Sequence, residues 1–308
     1  MAAVRVATIE RKEDGMNKGL VLATACAAFL IVGLQSAVGA GPGNVTCTDS
    51  FAGTAHDLTV PADNFCDLAG ATITHDLIVE SNAGVGAHDG VTVGNDAIGQ
   101  TNSEFDATQL TIGQDLITTG ANLFLANTTI GRDLVASQSH TVQTGSACVD
   151  ECESGPVKVG RDVAISGSPA PHAFAHDLCD TTVGRDMRVT EVTVFFGFTI
   201  GDIGPDEGCS PGAGNRGVSN TIGHDLVVTG NTALTNPFFG PSGMDVDDNR
   251  VGHDLVFSGN TADPGGGTLE VANNRVGHDA ICAANTLSLS KDGPDDGPNN
   301  AGHNNSCS

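Results

Sequence analysis

A short word recurs along this chain: an apolar residue, usually Gly, a polar residue, Asp, then another apolar residue. It reads ITHDLIV at 73–79, VGNDAIG at 93–99, IGQDLIT at 112–118, IGRDLVA at 130–136 and VGRDVAI at 159–165. It continues as VGRDMRV at 183–189, IGHDLVV at 222–228, VGHDLVF at 251–257 and VGHDAIC at 276–282, with a worn first copy, AHDLTV, at 55–60. The early Asp positions, 57, 76, 96, 115 and 133, are separated by 19, 20, 19 and 18 residues, and later gaps widen to 29, 24, 39, 29 and 25. A unit repeating at this period cannot bury its apolar face alone, so neighbouring units must stack.

Between copies lie segments such as ANLFLANTTI (121–130) and GTLEVANNRV (267–276), in which Leu-x-Leu or Leu-x-Val precedes an Asn turn. One repeat therefore reads as a short strand, an Asn turn, an apolar residue, a Gly-x-Asp turn and a second strand closed by a Gly-Asn turn. Residues two apart on a strand share a face, so Leu134 with Ala136, and Leu255 with Phe257, are expected to point inward together. The fold expected is all-β: a single-stranded parallel β-helix of about ten coils of 18–20 residues, on the order of 50 Å long at the usual strand spacing. An antiparallel sandwich shares the period-2 alternation, but its hairpins do not reproduce one coil so regularly. Ile130, Val159, Val183, Ile222, Val251 and Val276 should form one inward column. The six-residue spacing of Ile112, Thr118, Phe124, Ile130, Ala136 and Val142 suits a left-handed helix; the variable coil length favours the right-handed type, which is the expectation adopted. With neither Trp nor Tyr and 4% aromatics, the core is expected to consist of Val, Ile, Leu and Ala.

The words IGRDLVA and VGHDLVF resemble the repeats of bacterial β-solenoid proteins, including the polymer-forming bactofilins, over most of residues 50–290. Bactofilins are cytoplasmic and compact, whereas this chain carries an export signal, cysteines and insertions. Secreted β-helix proteins of surface or matrix type are the closer likeness, and the resemblance implies a structural role.

The export signal is read from residues 1–40: Asn17-Lys18-Gly19, the apolar run LVLATACAAFLIVGL, then small residues at Val38 and Ala40. Met16 is the expected true start, and retention of the segment as a membrane anchor is the alternative. Residues 41–290 are assigned to the solenoid and 291–308 to an acidic tail rich in Gly and Asn. Cleavage after Ala40 leaves eight cysteines, Cys47, Cys66, Cys148, Cys152, Cys179, Cys209, Cys282 and Cys307. An even number in an exported chain reads as a disulfide framework, and neighbour pairing (47–66, 148–152, 179–209, 282–307) is the simplest connectivity. The expected location is secreted or cell-surface. Removing residues 1–40 takes four Lys/Arg and three Asp/Glu from a chain of net charge −24, leaving −25. That excess disfavours nucleic acid and anionic membranes as partners and favours cations.

The Gly-His-Asp triplets have the polar density of an active site, yet they repeat. The residue before the motif Asp is His75, Asn95, Gln114, Arg132, Arg161, Arg185, His224, His253 and His278 in turn, which marks a solvent-facing turn column; metal binding by its histidines is the alternative. Asp76, Asp96, Asp115, Asp133, Asp162, Asp186, Asp225, Asp254 and Asp279 form a structural turn column, each expected to cap its own turn. Two acidic loops, Asp245/Asp247/Asp248 and Asp292/Asp295/Asp296, are candidate calcium sites, and calcium is the cofactor considered. GAGNRG (212–217) fits a dinucleotide pattern but lacks the strand before and helix after it, and reads as a loop. No catalytic residue is assigned. The function expected is a non-catalytic structural or adhesive surface protein whose partners are polysaccharide, a cell-surface protein or, through the solenoid ends, itself. The alternatives are a carbohydrate-active β-helix enzyme and a calcium-binding matrix protein.

Overall fold

The computed structural model describes residues 43–145, 155–169, 173–201, 220–235, 243–263, 268–286, 289 and 297–307. The proposed signal segment, Cys148, Cys152, Cys209, the GAGNRG loop and Asp292, Asp295 and Asp296 lie outside them. All described regular structure is β, arranged as parallel sheets of 11, 10 and 11 strands, with a fourth of three strands. Successive strands of one sheet are one coil apart in sequence. Leu116–Thr119, Asn122–Leu125 and Thr129–Ile130 enter the three main sheets in turn, and Leu134–Ser137 returns to the first. This is the expected parallel β-helix. Its coil has three faces where the sequence suggested two strands, because the apolar residue opening each motif lies in a short strand of its own.

Register puts Ile130, Val159, Val183, Ile222, Val251 and Val276 in one column, and all are buried. Leu134 with Ala136, and Leu255 with Phe257, are likewise buried on the first face. Each such side chain contributes roughly 1.5–3 kcal/mol of burial, so a coil only 18–20 residues long holds to its neighbours. The core is not purely aliphatic, since Phe105, Phe198 and Phe257 are fully buried. Gly99 occupies an inward position of the first face, where a Cβ would lie 2.7 Å from the Phe105 ring and 2.6 Å from Ser103 Oγ. Its missing side chain makes room for the aromatic. Phe124 departs from the six-residue pattern: it pairs with Asp106 and Gln143 between buried Leu123 and Leu125, and so points outward.

Disulfides staple both ends of the stack. Cys47–Cys66 joins the first coil to the second, and Cys282–Cys307 joins the last two. Cys179 is also disulfide-bonded. Among the described residues the terminal coils have a neighbouring coil on one side only, so a covalent tie there replaces packing that interior coils receive from both sides. Such bonds fit an oxidising compartment. The solenoid also continues past residue 290: Asn300–Ala301 pairs with Arg275–Val276 in the third sheet, so the described part of the expected tail is a further partial coil.

Candidate functional site

Each Gly-x-Asp turn joins the third face to the first, and its backbone is bonded to the turn of the preceding coil. Gly131 N–H donates to Ile112 O at 2.8 Å, and Arg132 N–H to Gln114 O at 2.9 Å. The third amide lacks a backbone acceptor, and the Asp carboxylate of the preceding coil supplies one. Thus Asp76 N–H donates to Asp57 Oδ1, Asp96 to Asp76, and so on to Asp279 on Asp254 and Asn304 on Asp279, at 2.9–3.2 Å over ten consecutive steps. All nine expected Asp residues take part. They cap the turn of the next coil, not their own as the sequence suggested, because that amide is the donor the change of chain direction leaves without a backbone partner.

The terminal rung belongs to Asn304, in Gly302-His303-Asn304, a degenerate copy hidden in the sequence because Asn replaces Asp. The motif glycine has a different cause. At Gly94, Gly113, Gly131, Gly160, Gly184, Gly223, Gly252, Gly277 and Gly302, a Cβ would sit 2.0–2.3 Å from the carbonyl oxygen of the equivalent residue in the preceding coil. None of these glycines has a positive φ, so the requirement is close backbone approach.

Stacked carboxylates repel, and where the residue before the Asp is Arg or His it reaches back to the Asp one coil earlier, whereas Gln114 donates to Asn95 Oδ1 at 3.1 Å. Arg132, Arg161 and Arg185 bind Asp115, Asp133 and Asp162 through Nε and Nη2. His75, His224, His253, His278 and His303 place Nδ1 at 2.8–3.1 Å from Asp57, Asp186, Asp225, Asp254 and Asp279. The column is half-exposed, as expected, yet ordered. Its imidazoles stack at 4.7 Å for His224–His253, 4.9 Å for His253–His278 and 5.1 Å for His278–His303, with planes within 3–8° of parallel. Arg132 holds the Asp115 carboxyl below its ordinary range, and Arg161 does the same to Asp133. The Asp254 carboxylate raises the His278 pKa.

Four sets of donors converge to within 4.8 Å among the described residues: His56/Asp57/His75, His224/Asp225/His253, His253/Asp254/His278 and His278/Asp279/His303. Asp245, Asp247 and Asp248 form no such set. Asp245 lies on the second-face strand Met244–Asp247. Asp247 is buried, its Oδ1 accepting the Asp248 amide at 2.7 Å, and Asp248 takes a turn conformation with φ 54°.

Two further features escaped the sequence reading. Asn220, Asn249, Asn274 and Asn299 form a buried ladder at the corner before the third face, each Nδ2 donating to a main-chain carbonyl of an earlier coil. Asn231, Asn260 and Asn285 form a second ladder after the first face. Their signal in the sequence is the Asn recurring before Thr221, Arg250, Arg275 and Asn300, a residue type that by itself reads as a turn. The other feature does not repeat. His176 is buried in the core between Val142 and Phe198, where burial pushes its pKa down to about 4. The adjacent Asp177 is on the outer side of the same strand yet partly covered, accepts from Gln143 Nε2 at 3.0 Å, and is pushed up to about 6 by the loss of water around it.

These two groups predict opposed pH dependences. His176 has a folded pKa below its unfolded value, so its contribution is full above about 6.5 and about 3 kcal/mol is lost as pH falls to 4. Asp177 has a folded pKa above its unfolded value, so the native state takes up a proton as pH falls through 6 and gains stability. Relative to wild type, Asp177→Asn should lose stability and His176→Leu should gain it as pH falls from 6.5 to 4. Urea midpoints across that range read the two slopes, and parallel slopes would refute the assignment.

A second expectation concerns the ladder. Asp254→Ala removes the acceptor of the Asp279 amide and of His278 Nδ1. A bond to a charged acceptor is worth roughly 1.5–3 kcal/mol, and relief of carboxylate repulsion reduces the net loss to about 1–2 kcal/mol. Hydrogen exchange should quicken about tenfold at Asp279, while the Asp254 amide, held by Asp225, keeps its protection. Quickening at Asp254 itself would indicate an own-turn cap.

Comparison with protein-family models, with curated proteins and with solved structures returns no match to this chain.

Proposed function

We propose that this protein is an exported, non-catalytic β-solenoid that serves as a structural or adhesive component of the cell surface or extracellular matrix. The observation that carries this reading is the engagement of the motif's polar residues. The Asp of every copy is committed to the amide of the next coil, a repeated scaffold duty. Disulfides at both ends support service outside the cytoplasm, and the acidic surface supports cation-rich surroundings. The partners proposed are polysaccharide or a cell-surface protein, with self-association through the ends as a further mode. Protease treatment of intact producing cells should remove the protein, and the purified chain should bind such surfaces without altering them.

A carbohydrate-active enzyme is the second reading, favoured by one observation: Asp177, a carboxyl outside the repeated word, sits partly covered beside Gln143 and is pushed up by burial to about 6, toward the range a general acid requires. Release of reducing ends or unsaturated uronides from a polysaccharide, abolished by Asp177→Asn, would establish that reading and overturn the scaffold proposal.

A further inference from the structure

The x position of the ladder divides the solenoid. In the middle, Arg132, Arg161 and Arg185 neutralise their carboxylates at every pH. Toward the C-terminus the same position is His in four successive rungs, His224, His253, His278 and His303, and compensation there depends on what occupies each Nδ1. At His253, Nδ1 lies 3.1 Å from Asp225 Oδ1 and 3.2 Å from Asp254 Oδ2. At His224 the corresponding distances are 3.1 Å to Asp186 Oδ1 and 3.2 Å to Asp225 Oδ2. At His278 they are 2.8 Å to Asp254 Oδ1 and 3.5 Å to Asp279 Oδ2. Each of these Nδ1 atoms therefore faces two carboxylate oxygens from consecutive coils.

Zinc bound to nitrogen and oxygen at its usual 2.0–2.2 Å separates neighbouring donors by about 3.0–3.5 Å, close to the nitrogen–oxygen spacings at His224 and His253, and in each set two imidazoles and the Asp between them lie within 4.8 Å of one another. The donor set, two imidazoles and one carboxylate, suits late divalent first-row ions more than calcium or magnesium, which take oxygen alone. The Asp oxygens are already oriented by the amides of Asp254 and Asp279, the outer-shell support that ligands need.

We propose that the C-terminal histidine–aspartate ladder is a binding site for divalent transition-metal ions, each held by the imidazole Nδ1 atoms of two consecutive coils and by the carboxylate between them. The ion takes the place of the Nδ1 proton: a neutral ring then carries its one proton on Nε2, and a protonated ring releases one proton to solvent. Repulsion between dications one rung apart limits filling to alternate rungs, so the ladder takes one or two ions. Binding ties adjacent coils together, a role this site can fill whether the solenoid is a scaffold or an enzyme.

The test uses the tag-free mature chain at pH 7.5 with zinc chloride alone, and calcium chloride in parallel. Hydrogen exchange should slow at least tenfold at the Asp254 and Asp279 amides with zinc and remain unchanged with calcium. Titration calorimetry with zinc should give a stoichiometry of one or two ions per chain. The triple variant His224→Arg, His253→Arg, His278→Arg should keep the fold, because the middle rungs already carry Arg on the same backbone, and should lose the zinc effect at both amides. Nitrogen chemical shifts of His253 in the wild-type chain give a second readout that needs no variant, and zinc should shift Nδ1 rather than Nε2. Absence of zinc protection in the wild type, its persistence in the folded triple variant, equal protection by calcium, or a shift confined to Nε2 would each overturn the proposal.

Discussion

Gly160→Ala should destabilise the solenoid by about 3 kcal/mol, at the upper end of overpacking costs, and divide its unfolding into two steps. The added Cβ would lie 2.1 Å from Gly131 O and 2.9 Å from its carbonyl carbon. Both are backbone atoms held by the ladder, so no side chain can swing aside. Relief requires the coils to part by about 1 Å at this corner, which stretches bonds such as Gly160 N–H to Ile130 O at 2.9 Å and Arg161 N–H to Arg132 O at 2.7 Å. Because each coil contacts only its neighbours, weakening one interface uncouples the halves on either side. Gly53→Ala is the control: its Cβ would meet only Phe51, at 3.6 Å, and should change stability by less than about 0.5 kcal/mol. Urea unfolding followed by circular dichroism distinguishes the two. Equal midpoints for both variants would show that the motif glycine is not there for close approach.

Asn274→Ala should cost about 2–5 kcal/mol, the loss concentrated in the last coils. Asn274 is fully buried. Its Oδ1 accepts the Asn249 amide at 3.0 Å, and its Nδ2 donates to Val246 O at 2.7 Å. Truncation leaves both main-chain groups in the core without those partners, at roughly 1–3 kcal/mol each. Leucine, though similar in volume, should do no better, because the defect is the lost donor and acceptor rather than the cavity. Exchange at the Asn249 amide should rise by two orders of magnitude or more, against little change at Ile130, several coils away. A leucine variant as stable as wild type would refute the ladder's role.

Much of this architecture is legible in the repeat. Period and alternation place Leu134, Ala136, Leu255 and Phe257 inside, because those rules depend only on neighbours along one strand. The third face was hidden, since strands such as Thr129–Ile130 and Arg250–Val251 have two residues, too short to show alternation. The buried asparagines resembled turn residues because their bonds run to carbonyls about 25–50 residues away, a distance no local pattern reports. Among candidate sites, the Asp column was visible as repetition, whereas Asp177 stands out only through the burial that tertiary packing imposes on it.

The sequence by itself determined that the chain coils, where each coil turns, and which side chains face inward, because stacking identical words in register is the arrangement that buries every copy's apolar face. Only the tertiary structure decided what the polar letters do. Asp caps the coil after its own, Gly admits a backbone at van der Waals limits, and His and Arg reach back one rung. These relations join residues 17 to 39 positions apart, across the direction of stacking, where strand spacing rather than chain order sets which atoms meet.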